Sequence, residues 1–316
     1  MTPSPSSSLV SSIILSTAPT PPNTTLSLPR PHVLLVTLDR PEALNAIPSA
    51  QHPAMARLWA WYDAHPALRC AVLTGRGRAF CAGADLREWD QANSAAAAAA
   101  AGKGNEEEER GGGGGGGGGR EGRQQRQEYR ERWVRDGFGG LSNRAGKKPV
   151  IAAVNGLCFG GGMEMVINCD MVVADGARAR FGLPEVGKGV VALAGALPRL
   201  VRTVGKQRAA EMALLGRVGY KAEQMREWGL VNFVVGEGKA VEEAVKLAEE
   251  MAGNSPDAVI VSKEGLRLGW EGIGPELGTE LLDKGMYGRI DAGENMREGV
   301  RSFVEKRKPV WKDSKL

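Results

Sequence analysis

The sequence predicts an α/β protein with a mostly parallel sheet, followed by a helical C-terminal section. Short apolar segments typical of buried strands alternate with amphipathic segments through the first two thirds of the chain. Such alternation at short intervals is typical of β-α-β units, whose strands lie parallel. From about residue 196 the pattern becomes helical. With 316 residues, of which 42% are hydrophobic, the chain can bury a substantial core.

The first part of the chain provides a strand, a helix and a second strand. Residues 32–38 (HVLLVTL) form an apolar run rich in valine and leucine that ends at a proline-containing turn. Residues 48–64 place large apolar side chains at helical spacing and end near Pro66. Residues 69–75 (RCAVLTG) have the pattern of a buried strand closed by glycine.

The same alternation continues after a low-complexity stretch. The polar residues 126–144 are predicted to be helical. Residues 150–154 (VIAAV) form a further apolar strand that leads into a cluster of glycines. The helical residues 163–169 and the strand-like residues 170–175 (DMVVAD) follow. This order of elements completes the β-α-β pattern.

Two amphipathic helices are predicted near the C-terminus. Residues 239–253 carry an apolar stripe at helical spacing, and Gly253 is typical of a helix C-cap. Residues 294–308 repeat this pattern up to Pro309. A helical section of this kind is a common docking place for partner subunits.

Composition divides the chain into five stretches. Residues 92–125 contain seven consecutive alanines, four consecutive glutamates and nine consecutive glycines, and cannot bury enough apolar surface to fold. We therefore expect a disordered insert there, which interrupts an α/β core made of residues 30–91 and 126–235. Residues 1–29 are expected to be a flexible N-terminal segment, and residues 236–316 a helical C-terminal region.

Composition also argues against several classes of function. The net charge of +4 is mild, and no basic stripe is interleaved with aromatic residues, which argues against a nucleic-acid partner. The four cysteines lack metal-ligand spacing, so we expect reduced thiols and no metal. The three histidines all lie in the N-terminal part, which argues against histidine-based catalysis. No apolar run approaches the roughly eighteen residues that a membrane-spanning helix needs.

The C-terminal tripeptide Ser314-Lys315-Leu316 matches the signal that the peroxisomal import receptor reads. The residues before it are polar and are expected to be exposed. The first 29 residues contain no lysine or arginine, which argues against a secretory signal and against an arginine-rich presequence. We therefore expect a peroxisomal location, with the import receptor as a partner.

Residues 156–164 (GLCFGGGME) place four glycines beside an acid. The segment is not a phosphate-binding P-loop, because Gly162 stands where lysine is required, and not a dinucleotide fingerprint, because Met165 stands where the last glycine is required. The glycines either make a tight strand-to-helix turn without chemistry, or expose the N–H groups of a helix start to a ligand oxygen. An oxyanion would need a second donor, for which residues 78–86 (RAFCAGADL) are the candidate.

Five segments of the chain resemble the crotonase superfamily, also called the enoyl-CoA hydratase/isomerase family. They occur in the family's order and span nearly all of the chain outside the insert. They are LDRPEALNAI (38–47), GRAFCAGADL (77–86), IAAVNGLCFGGGMEMVINCDMVVA (151–174), FGLPEVGKG (181–189) and FVEKRKPVW (303–311). The resemblance implies an α/β fold with a crotonase-like (ββα) spiral core and a C-terminal helical trimerisation region.

The resemblance implies a site for acyl-CoA thioesters. The backbone N–H groups of Ala84 and Gly161 would bind the thioester carbonyl oxygen as an oxyanion hole. Glu164 would activate a water and Glu185 would protonate the α-carbon, while both hold the water. These residues imply an enoyl-CoA hydratase, a lyase that adds water to a 2-enoyl-CoA.

The resemblance also implies CoA contacts and an assembly. No cofactor is expected to be bound permanently, since the substrate is carried as a CoA thioester. The assembly is expected to be a homotrimer or a dimer of trimers, in which the C-terminal CoA contacts often cross a subunit interface. One of the implied contacts is an arginine where many members have lysine. The implied CoA-binding residues are Ala43, Leu44, Ala46, Ala82, Arg87, Phe303 and Lys306.

Alternatives to the hydratase remain open. Some isomerases of the family use only the acid in the position of Glu185, so an enoyl-CoA isomerase is the nearest alternative, followed by a thioester hydrolase. A non-catalytic paralogue or an RNA-binding member is a third alternative, against which the two acids and both N–H donors argue. The acyl chain is not defined, because the insert falls in the loop that shapes the acyl pocket and residues 189–197 depart from the family pattern. Glu42 also occupies a position often held by lysine or arginine.

Overall fold

The part of the chain that the computed structural model describes comprises residues 12–88, 90, 91, 94 and 135–316. Apart from residue 94, the expected insert at 92–125 lies outside the described residues. The segment predicted to be helical, 126–144, is described only from residue 135 onward. There it contains the short 3-10 helix Phe138–Gly140.

Ten strands form two sheets in the described part of the chain. The strands are β1 (Thr24–Arg30), β2 (Val33–Leu38), β3 (Cys70–Gly75), β4 (Ala79–Cys81), β5 (Val150–Val154), β6 (Leu157–Phe159), β7 (Met171–Asp175), β8 (Arg180–Gly182), β9 (Val218–Lys221) and β10 (Phe233–Val235). The main sheet has the order β1-β2-β3-β5-β7-β10. Only β1 runs antiparallel to its neighbour, which confirms the predicted mostly parallel sheet.

The smaller sheet has the order β4-β6-β8-β9. Its first three strands are parallel, and β9 runs antiparallel to β8. Each of the three parallel strands has three residues. Because the carboxyl ends of parallel strands meet at one edge of a sheet, the loops that follow β4, β6 and β8 lie side by side.

Helices cover the main sheet and form the C-terminal region. They are α1 (Gln51–Ala64), α2 (Gly161–Ile167), α3 (Ala196–Val204), α4 (Lys206–Leu215), α5 (Ala222–Glu227), α6 (Ala240–Ala252), α7 (Pro256–Trp270), α8 (Pro275–Leu282), α9 (Gly288–Ile290) and α10 (Glu294–Val304). The alternation of side chains along β3 divides the core between the two faces of the sheet. Val72 packs in the cluster that contains α6, whereas Leu73 packs in the cluster that contains α1 and α2.

The ordered sheet begins earlier than the sequence predicts. β1 lies within the segment expected to be flexible at 1–29, and it pairs with β2. Leu26 and Leu28 alternate with polar residues and pack against the core, a pattern of period two that suits an edge strand. The surrounding serines, threonines and prolines obscure this pattern. The expectation of flexibility is therefore wrong from residue 24 onward.

Most of the longer predicted elements are confirmed to within a few residues. The strands β2, β3, β5 and β7 and the helices α1, α2, α6 and α10 all lie where the sequence predicts them. The helix predicted at 294–308 ends at Val304, and Lys306 has a positive φ of 53°. The chain after residue 196 is not purely helical, because it also contains β9 and β10. These strands and β6 and β8 have three or four residues, too few for a periodic pattern.

All four cysteines are free thiols. Cys70 in β3, Cys81 in β4 and Cys158 in β6 are fully buried. Among the described residues, no helix is long and apolar enough to cross a membrane. Within the same residues, no group of three or more histidine, cysteine, aspartate or glutamate side chains could hold a metal ion.

Candidate active site

The loops after the three parallel strands of the smaller sheet bring together the residues singled out by the sequence. Ala84 follows β4, Gly161 follows β6 and Glu185 follows β8. A Cβ atom placed on Gly83 would lie 3.2 Å from the Gly161 nitrogen, so the first two loops are in contact. A Cβ atom on Gly160 would lie 3.2 Å from Glu185 Oε1, so the second and third loops are also in contact. The edge of the smaller sheet is therefore the candidate active site.

Two backbone N–H groups at this edge are available to a ligand. Gly161 is the first residue of α2, and the first N–H groups of a helix have no acceptor within the helix. Ile47 bridges to the Ala84 loop by donating its N–H to Gly83 O at 2.9 Å and accepting from Asp85 N–H at 3.4 Å. Among the described residues, neither the Ala84 N–H nor the Gly161 N–H donates to a protein acceptor. The pair has the donor chemistry of an oxyanion hole.

Two of the glycines in the 156–164 segment are required by geometry. Gly160 has φ 55° and ψ −126°, in the region that favours glycine. A Cβ atom on Gly161 would lie 2.4 Å from carbons of the Phe138 ring. The ring therefore packs directly against the Gly161 backbone. The tight-turn interpretation and the exposed N–H interpretation of this segment are thus compatible.

Glu164 lies in the first turn of α2 and is only 3% exposed. Its Oε1 accepts a hydrogen bond from Ala194 N–H at 2.8 Å. Burial raises the pKa of Glu164 to about 7, and the negative charge of Glu185 contributes in the same direction. The N–H groups of Ala194 and Ala196 oppose this rise. Near neutral pH, Glu164 therefore has both of its protonation states well populated.

Glu185 opens the 3-10 helix Glu185–Lys188 after β8. Burial raises the pKa of this carboxyl as well. Its Oε2 is buried and has no hydrogen-bond partner among the described residues. A buried polar atom without a partner is costly, and the cost is removed when a ligand or water supplies the missing hydrogen bond. The two acids with raised pKa values and the two N–H donors therefore lie on adjoining segments at one edge of the smaller sheet.

The sequence argued against catalysis by histidine, yet His52 lies beside the site in a supporting position. Its Nδ1 accepts a hydrogen bond from Gly139 N–H at 3.0 Å, and its ring contacts Phe138 edge-on with ring centroids 4.6 Å apart. Burial lowers the pKa of His52 to about 4, so the ring is neutral at physiological pH. Its position in sequence, 87 residues before Gly139, gives no sign of this contact.

Four of the predicted CoA-binding residues lie on two segments that a backbone hydrogen bond joins. Ala82 N–H donates to Leu44 O at 3.0 Å, which joins the loop after β4 to the segment that contains Ala43, Leu44 and Ala46. Leu44 and Asn45 have φ values of 53° and 56°. The Asn45 side chain is buried and donates to Arg76 O and Ala79 O, which supports this backbone conformation.

Arg87 lies close to this loop in sequence and structure. Its N–H donates to Asp85 Oδ1 at 3.1 Å. Asp85 in turn forms an ion pair with Arg40 at 2.6 Å. The backbone at Arg87 is therefore anchored beside the loop that carries Ala82 and Ala84.

Phe303 and Lys306 lie in the C-terminal part of the chain, far from this loop in sequence. Phe303 on α10 is 85% exposed, and Lys306 follows the end of that helix. Across the described residues, no hydrogen bond or ion pair connects either side chain to residues 43–46 or to Ala82.

The C-terminal tripeptide lies against the protein. Ser314 Oγ donates to Asp257 Oδ1 at 2.5 Å, and Leu316 N–H donates to Ser314 Oγ at 3.2 Å. The Lys147 ammonium donates to the Leu316 carbonyl oxygen. Lys315 remains exposed and lies 3.6 Å from a carboxylate oxygen of Glu294.

Comparison with known proteins agrees with this geometry. The family described as "Enoyl-CoA hydratase/isomerase" matches residues 30–109 and 117–314. The mevalonyl-coenzyme A hydratase of Beauveria bassiana (strain ARSEF 2860) is 58% identical over 295 residues, which cover 93% of this chain and 96% of that protein. The mevalonyl-coenzyme A hydratase of Aspergillus fumigatus is 47% identical over 298 residues, which cover 94% of this chain and 98% of that protein.

A solved structure shows the same architecture. The enoyl-CoA hydratase from Mycobacterium tuberculosis H37Rv superposes with a TM-score of 0.74 at 30% sequence identity. The superposition covers 93% of this chain and 100% of that chain. The crotonase-like fold class expected from the sequence is confirmed.

Proposed function

Since the chain belongs to the enoyl-CoA hydratase/isomerase family and is a hydratase of CoA thioesters, we propose that its substrate is mevalonyl-CoA and its dehydration product. One observation carries the choice of substrate. The chain is 58% identical to the mevalonyl-coenzyme A hydratase of Beauveria bassiana, compared with 30% to the enoyl-CoA hydratase of Mycobacterium tuberculosis. Both comparisons cover 93% of the chain, so the difference is not an effect of length.

The reaction matches the groups at the site. A mevalonyl thioester carries a hydroxyl and a methyl group on its β-carbon and a second hydroxyl on its terminal carbon. Loss of the α-proton and the β-hydroxyl as water leaves a branched 2-enoyl thioester, and hydration is the reverse. In both directions, negative charge develops on the thioester oxygen. The N–H groups of Ala84 and Gly161 would stabilise that charge.

The two acids divide the proton transfers. In hydration, the ionised Glu164 takes a proton from water while the water oxygen bonds to the β-carbon. Protonated Glu185 then gives its proton to the α-carbon, and both carboxyls return to their starting states after one proton is exchanged with solvent or between them. Burial raises the pKa of both acids, which favours retention of a transferable proton at the site, and the negative charge of Glu185 raises the pKa of Glu164 further.

A substrate panel tests this proposal. The purified chain is assayed with the 5-hydroxy-3-methyl-2-pentenoyl thioester, crotonyl-CoA and a medium straight-chain 2-enoyl-CoA by loss of enoyl absorbance. We expect kcat/KM for the branched thioester to exceed that for crotonyl-CoA by about tenfold or more, since a shaped pocket discriminates by such factors. A preference for straight-chain thioesters would overturn the proposal that mevalonyl-CoA is the substrate. Loss of absorbance with none of them would overturn hydration itself.

The enoyl-CoA isomerase alternative is distinguished in the same assay. A 3-enoyl-CoA is offered to the wild type and to Glu164→Gln. An isomerase that needs only the acid at position 185 keeps its activity in this variant, whereas the proposed hydratase loses its main activity. The Gln side chain matches Glu in size and can still accept from Ala194 N–H, so packing is preserved.

We propose CoA contacts and assembly on the same basis. Ala43, Leu44, Ala46, Ala82 and Arg87 would contact CoA from their own subunit. Phe303 and Lys306 would contact CoA bound to a neighbouring subunit of a homotrimer or a dimer of trimers. The exposure of Phe303, together with that of Val300 and Val304 on the same helix, supports this division. Sedimentation of the purified chain should give a trimer or hexamer, and a monomer that binds CoA fully would contradict it.

We also propose the peroxisomal location expected from Ser314-Lys315-Leu316. The support is the tripeptide itself. The chain fused at its N-terminus to a fluorescent protein should accumulate in peroxisomes, and deletion of the tripeptide should abolish this. Because Ser314 and Leu316 are hydrogen bonded to the protein, the import receptor would have to displace these contacts.

A further inference from the structure

A buried serine outside the catalytic residues connects the two halves of the candidate active site. Ser142 is 0% exposed. Its hydroxyl accepts a hydrogen bond from Phe138 N–H at 2.7 Å and donates one to Ala194 O at 2.6 Å. Phe138 belongs to the Gly161 side of the site, and Ala194 to the Glu164 side.

On the Glu164 side, Ala194 is held at both of its backbone polar groups. Its carbonyl accepts from Ser142, and its N–H donates to Glu164 Oε1 at 2.8 Å. Ala194 is buried, so water does not replace either hydrogen bond. The position of the Ser142 hydroxyl therefore sets the position of the donor that orients the Glu164 carboxylate.

On the Gly161 side, Ser142 completes the anchoring of the Phe138–Gly140 turn. Gly139 N–H donates to His52 Nδ1 and Gly139 O accepts from Trp59 Nε1, both at 3.0 Å. Ser142 holds the third point, the N–H of Phe138. The ring of Phe138 packs against the Gly161 backbone, so a shift of this turn reaches the N–H donor of the proposed oxyanion hole.

The backbone beside Ser142 leaves space for its hydroxyl. Gly137 has φ 69°, and a Cβ atom there would lie 2.2 Å from Ser142 Oγ. A hydroxyl is the smallest side-chain group that can donate and accept at the same time. Both roles are used here, between two segments separated by more than 50 residues in sequence.

From these contacts we propose that Ser142 is a positioning residue, which sets the geometry of the Glu164 carboxylate relative to the Gly161 N–H. The inference rests on the proposed roles of Glu164 and Gly161. The substitution Ser142→Ala removes the hydrogen bonds from Phe138 N–H to the hydroxyl and from the hydroxyl to the Ala194 carbonyl. The two sides of the site then shift independently. Displacement of about 1 Å at a reacting group costs on the order of 100-fold in rate.

The expected signature of Ser142→Ala separates positioning from general stability. We expect kcat to fall by about 10- to 100-fold, and KM to change by less than about threefold, because the hydrogen bonds of the serine hydroxyl go to Phe138 and Ala194 and not to the proposed CoA-binding residues 43–46. The Ala194 N–H favours the ionised form of Glu164, and its loosening weakens that form. The limb of the pH–rate profile that reports ionisation of Glu164 should therefore move to higher pH.

Two further variants control for folding. Thr74→Val removes another buried hydroxyl, which donates to Ala153 O at 2.9 Å in the main sheet and makes no hydrogen bond to Phe138 or Ala194. Its kcat and pH–rate profile should match the wild type, while its melting temperature falls. Ser142→Cys replaces the hydroxyl by a larger, weakly donating thiol, so its kcat should also fall below that of the wild type. If Ser142→Ala does not fold, Ser142→Cys decides the question.

The outcomes are distinct. A folded Ser142→Ala or Ser142→Cys with the kcat and pH profile of the wild type overturns the proposal. An equal loss of kcat in Thr74→Val without any pH shift also overturns it, because the loss then follows stability. If the wild type lacks hydratase activity, the proposed function fails. In that case Ser142 is still tested by the pH titration of the Glu164 carboxyl, followed by infrared spectroscopy. The spectrum of the wild type and that of Ser142→Ala are each compared with the spectrum of the same protein carrying Glu164→Gln, so that the difference reports Glu164 alone. An unchanged titration in Ser142→Ala overturns the inference independently.

Discussion

In the main sheet, β3 and β5 are buried at every residue, whereas the three parallel strands of the smaller sheet have only three residues each. The main sheet is covered on its two faces by α6 and by α1, and its side chains form both core clusters. The smaller sheet instead ends in loops that carry Ala84, Gly161 and Glu185. Both sheets bury apolar side chains, including Phe80 and Phe181 of the smaller sheet, but the smaller sheet also places polar groups at a common edge.

The main sheet contributes favourable free energy of folding, whereas the burial of the two acids at the candidate site reduces stability. Apolar burial stabilises the main sheet, at about 25 cal/mol per Å² of apolar surface. The smaller sheet holds two acids in an environment that raises the pKa of each, which disfavours their charged forms. Changes at the site should therefore affect turnover more than stability, and changes in the main sheet the reverse.

The largest expected effect on turnover comes from the acids. Glu164→Gln and Glu185→Gln should each lower kcat by about 10³-fold, within the usual range for loss of a general acid or base. Folding should be retained, because an amide replaces a buried carboxyl of equal size. Stopped-flow absorbance and a thermal melt measure both quantities. Wild-type turnover in either variant would contradict the role of that acid.

Gly161→Ala should have the next largest effect. The new Cβ would meet the Phe138 ring at 2.4 Å, so the start of α2 must shift and its N–H donor with it. We expect kcat to fall by about 100-fold, as for loss of one oxyanion-hole donor. Gly274→Ala is the matched control, because Gly274 has φ −64° and a Cβ atom there meets nothing within 4 Å. Equal kinetics in the two variants would argue against an oxyanion donor at 161.

The pH dependence is smaller and has a defined sign. Hydration needs ionised Glu164, so the ascending limb of the pH–rate profile should rise about tenfold per pH unit up to a pKa of about 7, and a descending limb should follow ionisation of Glu185. In Glu164→Gln the ascending limb should be absent from the residual activity. A limb that persists there would assign the titration to another group.

The same pKa makes a prediction for stability. The folded pKa of about 7 lies above the ordinary value of 4.5, so the folded state binds this proton more tightly than the unfolded state. The resulting stabilisation is fully present below pH 4.5 and is lost as the pH rises through 7, by about 3 kcal/mol in total. Urea unfolding of wild type and Glu164→Gln from pH 4.5 to 8 measures this difference. Parallel pH dependences would contradict it.

A core variant of the main sheet should have the smallest effect on turnover. Leu73 in β3 is fully buried, and Leu73→Ala should reduce the free energy of unfolding by about 2–5 kcal/mol. The kcat of the folded fraction should stay close to that of the wild type. A fall in kcat as large as that in Gly161→Ala would show that the two sheets do not separate stability from chemistry.

The sequence predicts the main sheet well because strands buried on both faces appear as uninterrupted apolar runs, as in CAVLTG and VIAAV. The short strands of the smaller sheet give no such signal, since three residues cannot define a period. The glycines and the acid of residues 156–164 indicate the end of one of these strands, whereas Gly161 and Glu185 are singled out only by the resemblance to the family. The resemblance to the family supplied their roles, and the structure places them together.

The supporting contacts could not be predicted from the sequence. His52 reaches Gly139 across 87 residues, and Ser142 reaches Ala194 across 52 residues. Neither residue lies in a motif, and a buried serine or a neutral histidine has no distinctive neighbours along the chain. Such residues are recognised only when the hydrogen bonds are known.

The buried cysteines give each sheet its own chemical reporter. Cys70 lies in the main sheet, and Cys81 and Cys158 lie in the smaller sheet. Burial raises the pKa of Cys81 to about 12 and that of Cys158 well above its ordinary value, so neither thiol forms the reactive thiolate in the folded protein. A thiol reagent can modify them only when the strand that carries them opens. Mass-resolved labelling rates at the three positions would therefore measure how often each sheet opens in the native protein, without any denaturant.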